Sequence, residues 1–435
     1  MSFARALRAA GGVAVTGALL FGAAPVATAD ETRDAQWPLQ SFVAEQVWKE
    51  STGKGVTVAV VDDAVKGDHP DLRGNVLPGK DLVNGGTADR ETVNDHGTGM
   101  ASNIAGHGHG AGNADGVKGL APDAKILPIA VPENGSSDSL GEAVRYAADH
   151  GASVINLSLG PSYISESVRQ ALAYAVKKDV LIVAASGNEA TNDIGPLAKA
   201  PGVLSVGAVD QYGKVWEKSN FGEGLLLTAP GVHIRSAAAS EPYQQASGTS
   251  DAAAYVSAAS ALLRSKFPNL TAGQIANRLV KTAGMAPKLE GTQLPDPHYG
   301  YGFIRPLRAL KQDIPAGPKS GPLKAPEAQP SAGADGANAA SGGSQQAGDK
   351  KGDGLSIGAV VGIAAGVLIV VVIIVVVVVS RQKSRRNGPP PGGPGGWGGP
   401  GGPGGAPYPP NAYQQQAGPP GAYPSYPPQQ PPPPQ

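Results

Sequence analysis

The chain contains no cysteine, which excludes a disulfide framework, thiolate chemistry and a zinc–thiolate centre. The absence says nothing about compartment, because a folded part of about 280 residues buries enough apolar surface to stand without covalent cross-links. An excess of charge of either sign is also missing, since 35 Lys and Arg balance 35 Asp and Glu. No electrostatic case for nucleic acid follows, and none is expected as a partner. Glycine and proline are plentiful but crowd into particular stretches, so 435 residues overstate the folded length.

What is present divides the chain into five parts. Residues 1–29 open with Arg5 and Arg8, continue through a Gly/Ala/Val/Leu run and end Ala27-Thr28-Ala29, the pattern of a secretory signal peptide. Residues 30–311 have globular composition. Val56 to Val61, Lys125 to Val131, Ser153 to Leu159, Val180 to Ala185 and Val203 to Val209 are apolar, β-branched runs suited to strands buried on both faces. Between two of them, Ser139-Leu140-Gly141-Glu142 reads as a capping box and His150-Gly151 as a helix stop; Thr271-Ala272-Gly273-Gln274 is a second box. Strand and helix in alternation predict an α/β domain with a mostly parallel central sheet.

Residues 312–354 are rich in Pro, Ala, Gly, Ser and Gln and predict a flexible spacer. Residues 355–379 are uncharged and apolar, long enough for one transmembrane helix by the ~20-residue rule. Arg381, Lys383, Arg385 and Arg386 follow at once, so the positive-inside bias puts the C-terminus in the cytoplasm and the globular domain outside a cell membrane crossed once. Gly358, Gly362 and Gly366 form small-residue repeats through which the helix could self-associate. Residues 380–435 are basic, then rich in Pro, Gly and Tyr, and predict a disordered cytoplasmic tail.

Four blocks of the globular part carry chemistry together. Asp62 ends the first buried strand, and Asp95-His96-Gly97-Thr98 puts a histidine at the mouth of a small-residue helix. Ala184-Ala185-Ser186-Gly187-Asn188 ends another strand in a side-chain amide, and Gly248-Thr249-Ser250 runs straight into a row of alanines. Singly these are turn and cap residues. Jointly they supply an orienting acid, a base, an oxyanion donor and a nucleophile, in one of the known chain orders of a serine triad.

On these residues the sequence resembles the subtilisin-like serine peptidases. His69-Pro70-Asp71-Leu72, Gly119-Leu120-Ala121-Pro122, Asn156-Leu157-Ser158-Leu159-Gly160, Val206-Gly207-Ala208 and Tyr299-Gly300-Tyr301-Gly302 extend the match. The layout of signal peptide, protease domain, spacer, membrane helix and basic end is more narrowly similar to the mycosins, membrane-anchored proteases of actinobacterial type VII secretion. The resemblance implies a three-layer subtilisin-like domain and a serine endopeptidase acting on protein or peptide substrates of the envelope, in which Asp62, His96 and Ser250 are catalytic. It further implies that Asn188 holds the oxyanion, that Ser158, Leu159 and Gly160 pair with substrate as an added strand, and that Ala185 and Gly187 line a substrate pocket. Type VII secretion machinery is the implied partner. The alternative, motivated by the anchor, the tail and Asp63, is a largely structural component of a secretion complex.

The chain departs from the family at Asp63-Ala64, where Thr-Gly or Ser-Gly is usual, at Gly99, where many relatives carry a second histidine, at Ala254, where they carry proline, and in lacking the mycosin cysteines. His107-Gly108-His109-Gly110 reads as a surface loop rather than a metal site, no cofactor is implied, and no ligand string for the calcium of many relatives stands out. The residues from Asp30 onward are too few for a large prodomain, so folding without one is expected.

Overall fold

The run Thr57–Asp62 alternates between two cores: Val58 and Val60 belong to one buried cluster, Ala59 and Val61 to another. That alternation is what a pleated strand does when both of its faces are covered. In this computed structural model, which describes residues 30–90, 92–132, 137–285 and 291–326, the strand lies inside the main sheet, third of its seven strands. The expected signal peptide, transmembrane helix, glycine repeats and tail lie outside those residues, as does most of the expected spacer. Among the described residues no helix is long and apolar enough to cross a membrane.

In chain order the elements are α1 (Glu31–Asp34), α2 (Trp37–Ser41), α3 (Ala44–Glu50), β1 (Thr57–Asp62), β2 (Lys80–Asp81), α4 (His96–Ala105), β3 (His107–His109), β4 (Asp115–Lys118), β5 (Lys125–Ala130), α5 (Ser137–Asp149) and β6 (Val154–Leu157). Then follow α6 (Glu166–Lys177), β7 (Leu181–Ala185), β8 (Val203–Val209), β9 (Leu227–Pro230), β10 (Ile234–Ala237), β11 (Tyr243–Ala246), α7 (Thr249–Lys266), α8 (Ala272–Thr282) and α9 (Pro306–Lys311). The main sheet runs β2-β5-β1-β6-β7-β8-β9, every pair parallel. Residues of α4, α7 and α8 share one core cluster with Val58 and Val60, and those of α5 and α6 share the other with Ala59 and Val61. The result is the expected three-layer α/β domain.

Two consequences position the site. After β5 the chain crosses β1 to continue as β6, so the carboxyl ends of β1 and β6 border the crevice where such sheets bind ligands. The second is α7, buried along nearly its whole length. Its alanines (Ala252, Ala253, Ala254, Ala258, Ala259, Ala261) are at most 1 % exposed, and so short a side chain lets the helix lie close against the sheet on one side and α4, α8 and α9 on the others.

The helix boundaries show how far local signals reach. The Thr271 box forms as read: its hydroxyl accepts from Gln274 N and the Gln274 side chain accepts from Thr271 N. The Ser139 signal does not mark a helix start, because α5 already begins at Ser137, leaving Ser139 within its first turn. Order also continues past Gln312. Arg278 donates to the carbonyls of Ala309, Gln312 and Ile314, and Thr271 and Gln274 bind those of Lys319 and Gly317, which straps the first residues of the expected spacer along α8. Those are backbone contacts to polar side chains, invisible in a composition that lacks bulky apolar residues.

At the other end, Arg33 donates to the carbonyls of Asn113, Asp115 and Gly116, and the Gln36 amide exchanges two hydrogen bonds with the backbone of Lys118. The segment before β1 is thus tied to β4. His107 and His109 are not in a surface loop but in the short strand β3, half-buried and paired with β4. The reason is Asp71, fully buried, which accepts His109 Nδ1 at 2.6 Å and Val117 N at 2.8 Å and so holds the two strands to the body.

Candidate active site

Asp62 is the last residue of β1 and His96 the first of α4, so a strand end and a helix start fix both partners before any side chain is placed. His96 Nδ1 lies 2.7 Å from Asp62 Oδ1. Asp62 accepts, so Nδ1 carries the proton and Nε2 is left as the ring's basic nitrogen. Asp62 is buried, its Oδ1 also takes the Asp63 N–H at 2.9 Å, and its Oδ2 has no hydrogen-bond partner. The imidazole is 46 % exposed and faces a cleft of ≈ 630 Å³ bordered by Asp62, Asp63, Ser158, Leu159 and Gly160.

Ser250 enters from α7, one residue inside the helix capped by Gly248. Its hydroxyl donates to the Ser158 carbonyl at 3.2 Å, and the Ser158 hydroxyl donates in return to the Ser250 carbonyl at 3.0 Å. A buried chain continues behind this pair: Asn156 Nδ2 donates to Ser158 Oγ at 2.8 Å, and Ser257 Oγ donates to Asn156 Oδ1 at 2.9 Å. The end of β6 is therefore bolted at two points to the helix carrying Ser250. With every member satisfied, such a network fixes a geometry that apolar packing alone would leave looser.

Asn188 lies just beyond β7. Its Oδ1 accepts both the backbone N–H and the hydroxyl of Thr249, at 2.9 and 2.8 Å. That orientation leaves Nδ2 as the donor directed past Gly248, where a Cβ would stand 3.6 Å from Ser250 N and 3.8 Å from Asn188 Nδ2. A side-chain amide and a backbone N–H near one serine hydroxyl are the kinds of donor that can hold an oxyanion. Gly187, at φ +111°, is required here: a Cβ would come within 2.2 Å of Asn220 Nδ2.

Of the residues expected to bind substrate, Ser158, Leu159 and Gly160 border the cleft with His96. Ala185 and Gly187 do not border that cleft; Gly187 N instead donates to Thr249 Oγ1 at 3.1 Å, tying β7 to the start of α7. Val83 and Val93, 51 % and 84 % exposed, give the cleft an apolar rim, with Arg90 held by Asp81 beside it.

The electrostatics are dominated by carboxylates. The Asp62 charge raises the His96 imidazole to about 9, burial acting against it, with Asp251 and Asp63 adding smaller upward pushes. Burial and then the Asp62 charge push the Asp63 carboxyl up to about 7. Asp63 nonetheless has a structural task, accepting Gly97 N at 2.7 Å at the open end of α4. The glycine expected after the acid is dispensable, because Ala64 is not among the residues at positive φ.

Several functional neighbours escaped sequence reasoning. Asp95, adjacent to His96, accepts Ala239 N, Ser240 N and Ser240 Oγ at 2.8 Å each, pinning the β10–β11 hairpin to α4. Asn220 accepts Glu189 N and Thr191 N and donates to Glu189 Oε2, holding the loop after Asn188. Asp251, buried behind Ser250, takes the Asn103 amide at 2.9 Å. Only Asp251 had a signal available, a carboxylate inside an otherwise uncharged helix start.

A parallel sheet between two helical layers, with His96 paired to Asp62 at its carboxyl edge and Ser250 at the start of α7, fits the class of serine hydrolases. The family model of the Subtilase family, Peptidase_S8, matches residues 53–302, and the chain belongs to that family. It is a serine endopeptidase of the subtilisin type. It is 36 % identical over 279 residues to the thermophilic serine proteinase of Bacillus sp. (strain AK1), spanning 63 % of this chain and 67 % of that one. It is also 36 % identical over 263 residues to subtilisin Savinase of Lederbergia lenta, 60 % of this chain and 92 % of that one. Among solved structures, the MycP3 protease of the type VII (ESX-3) secretion system is 32 % identical with TM-score 0.57, covering 66 % of this chain and 91 % of its own. MycP1 with its N-terminal propeptide removed is 30 % identical with TM-score 0.57, covering 65 % and 99 %.

Proposed function

We propose that the protein cleaves peptide bonds through Ser250, His96 and Asp62. The observation that carries the reading is the 2.7 Å bond from His96 Nδ1 to Asp62, at a cleft joined to Ser250 through Ser158. His96 Nε2 takes the hydroxyl proton as Ser250 Oγ attacks the substrate carbonyl, and then returns it to the leaving amine. For the first step the hydroxyl must leave the Ser158 carbonyl it now binds and turn to the imidazole, a rearrangement that a substrate entering the cleft would drive. Asn188 Nδ2 and Ser250 N receive the negative charge that grows on the carbonyl oxygen. A substrate strand lies along Ser158, Leu159 and Gly160, with backbone hydrogen bonds giving affinity.

The substrate class we propose is secreted or envelope protein, cleaved outside the cell by a domain tethered through residues 355–379. The apolar run and its basic flank support the tether, and likeness to the MycP1 and MycP3 proteases supports a place beside type VII secretion machinery. The direct test is cleavage of a denatured protein by the full-length chain. Ser250→Ala should reduce the rate by about 10³ or more; equal cleavage by that variant, or none by a folded wild type, overturns the proposal. A mainly structural task in the complex is separated by complementation, where Ser250→Ala would restore secretion while deletion of 355–379 would not.

A further inference from the structure

Immediately after Ser250 stands a carboxyl that the proton path just described does not use. Asp251 is in the first turn of α7 and 2 % exposed. Its Oδ1 accepts the Asn103 amide from α4 at 2.9 Å. Its Oδ2 lies near Gly248: the point where a Cβ on Gly248 would stand is 3.7 Å from Asp251 Oδ2, 3.6 Å from Ser250 N and 3.8 Å from Asn188 Nδ2. The carboxyl oxygen and the two amide donors thus cluster around Gly248, and a charge on Asp251 would act on an oxyanion held by those donors.

We propose that Asp251 is a positioning residue that gates the reaction by its own ionisation. Protonated, it leaves both amide donors unopposed and keeps the buried Asn103 contact. Ionised, with its proton released to solvent, it sets a negative charge against the oxyanion and strengthens the hold of His96 on its proton. Both effects of the charge oppose attack by Ser250, so the ionised form turns over several-fold more slowly than the neutral one. The inference deepens the peptidase reading and rests on it for its kinetic consequence.

The surroundings place this ionisation within the working range. Burial pushes Asp251 up to about 7, with the His96 charge and the Asn103 amide acting the other way. The groups that act on it are His96 and Asn103 from α4 and Tyr255 on its own helix, with Asn188 from the loop after β7 close by at Gly248. Asp62 and Asp63 act on it through His96, which responds to all three carboxylates. Tyr255 stays neutral, since burial and then the Asp251 charge both push its phenol up. An ordinary buried carboxyl pays its desolvation by finding a cation; here the nearest candidate is the imidazole, already committed to Asp62.

The experiment uses the full-length protein with histidines labelled at Cε1, and follows the His96 resonance against pH in wild type and Asp251→Asn. With one carboxylate removed, the His96 midpoint should fall by about 0.5–1 pH unit. In parallel, kcat at pH 8 against a peptide substrate should rise about three- to tenfold with KM nearly unchanged. An unmoved His96 midpoint in a folded variant overturns the proposal, as does a kcat lowered by one factor at every pH, the mark of a merely structural role. Should Asp251→Asn fail to fold, Asp251→Ser gives the same two readings. The titration arm needs no turnover: a moved midpoint without peptide cleavage would sink the peptidase reading and leave the coupling of Asp251 to His96 standing.

Discussion

The Asp63 carboxylate caps α4 from another element, accepting Gly97 N at 2.7 Å, while Asp95, at the N-cap position itself, uses its side chain on Ala239 and Ser240. The helix that presents His96 is thus fastened to the strand that presents Asp62 by the residue next to Asp62. A carboxyl held above its ordinary value binds its proton more tightly folded than unfolded, so its contribution to stability is lost as pH rises from about 4 through about 7. Asp63→Asn keeps an acceptor for Gly97 and removes the charge. It should gain about 1 kcal/mol over wild type at pH 8.5 and little at pH 4, read from urea denaturation at the two values. Equal stability at both would contradict the role given to the charge.

The His96 shift fixes a stability dependence of the same sign at higher pH. With the folded imidazole raised to about 9, chiefly by Asp62, its contribution to stability is whole below about 6.5 and lost as pH rises through about 9. Proton abstraction needs the neutral ring, so kcat/KM should climb with pH well into the alkaline range. A profile that levels off near pH 6.5 would mean that Asp62 does not hold the imidazolium as described.

Asn188 supplies a donor to the cleft and an acceptor to Thr249. Asn188→Ala should lower kcat by about 10² to 10³ with KM nearly constant, as losing one oxyanion donor does. The same change frees Thr249 N at the start of α7, so the melting temperature should also fall, by an amount corresponding to about 1 kcal/mol. Steady-state kinetics with a thermal melt separates the two; an unchanged kcat would assign Asn188 to structure alone.

Gly99 sits where packing leaves little room for a side chain. A Cβ there would stand 2.8 Å from Gln244 Nε2 and 3.1 Å from Ser236 Oγ, both on the β10–β11 hairpin laid against α4. Gly99→His should therefore destabilise by about 1–3 kcal/mol, measured by chemical denaturation. A neutral effect would mean that the hairpin yields more easily than its Asp95 contacts suggest.

How much of this could be read from residues alone differs from element to element. Strands β1, β5, β6, β7 and β8 were legible because burial on both faces leaves an unbroken β-branched run, and the residues ending β1 and following β7 were legible because chemistry clusters at strand ends. The sequence could not show that Asp63 would cap a helix 34 residues later, or that Asn156 and Ser257 would bolt β6 to α7. Those are pairings of polar groups distant in the chain, and no local pattern encodes the partner. The His107–His109 strand was missed for the same reason, since its support comes from Asp71. Composition likewise ended the ordered part too early at Gln312, because Arg278 holds that segment by its carbonyls.

The central claim, that Ser250 is the nucleophile and His96 its base, is tested most directly by mapping the adduct of a fluorophosphonate on the full-length protein by mass spectrometry. The account predicts one modified serine, Ser250, with modification suppressed in His96→Ala and unaffected by Ser158→Ala beyond a change in rate. A folded protein that stays unmodified, or carries the adduct on another serine, would contradict it.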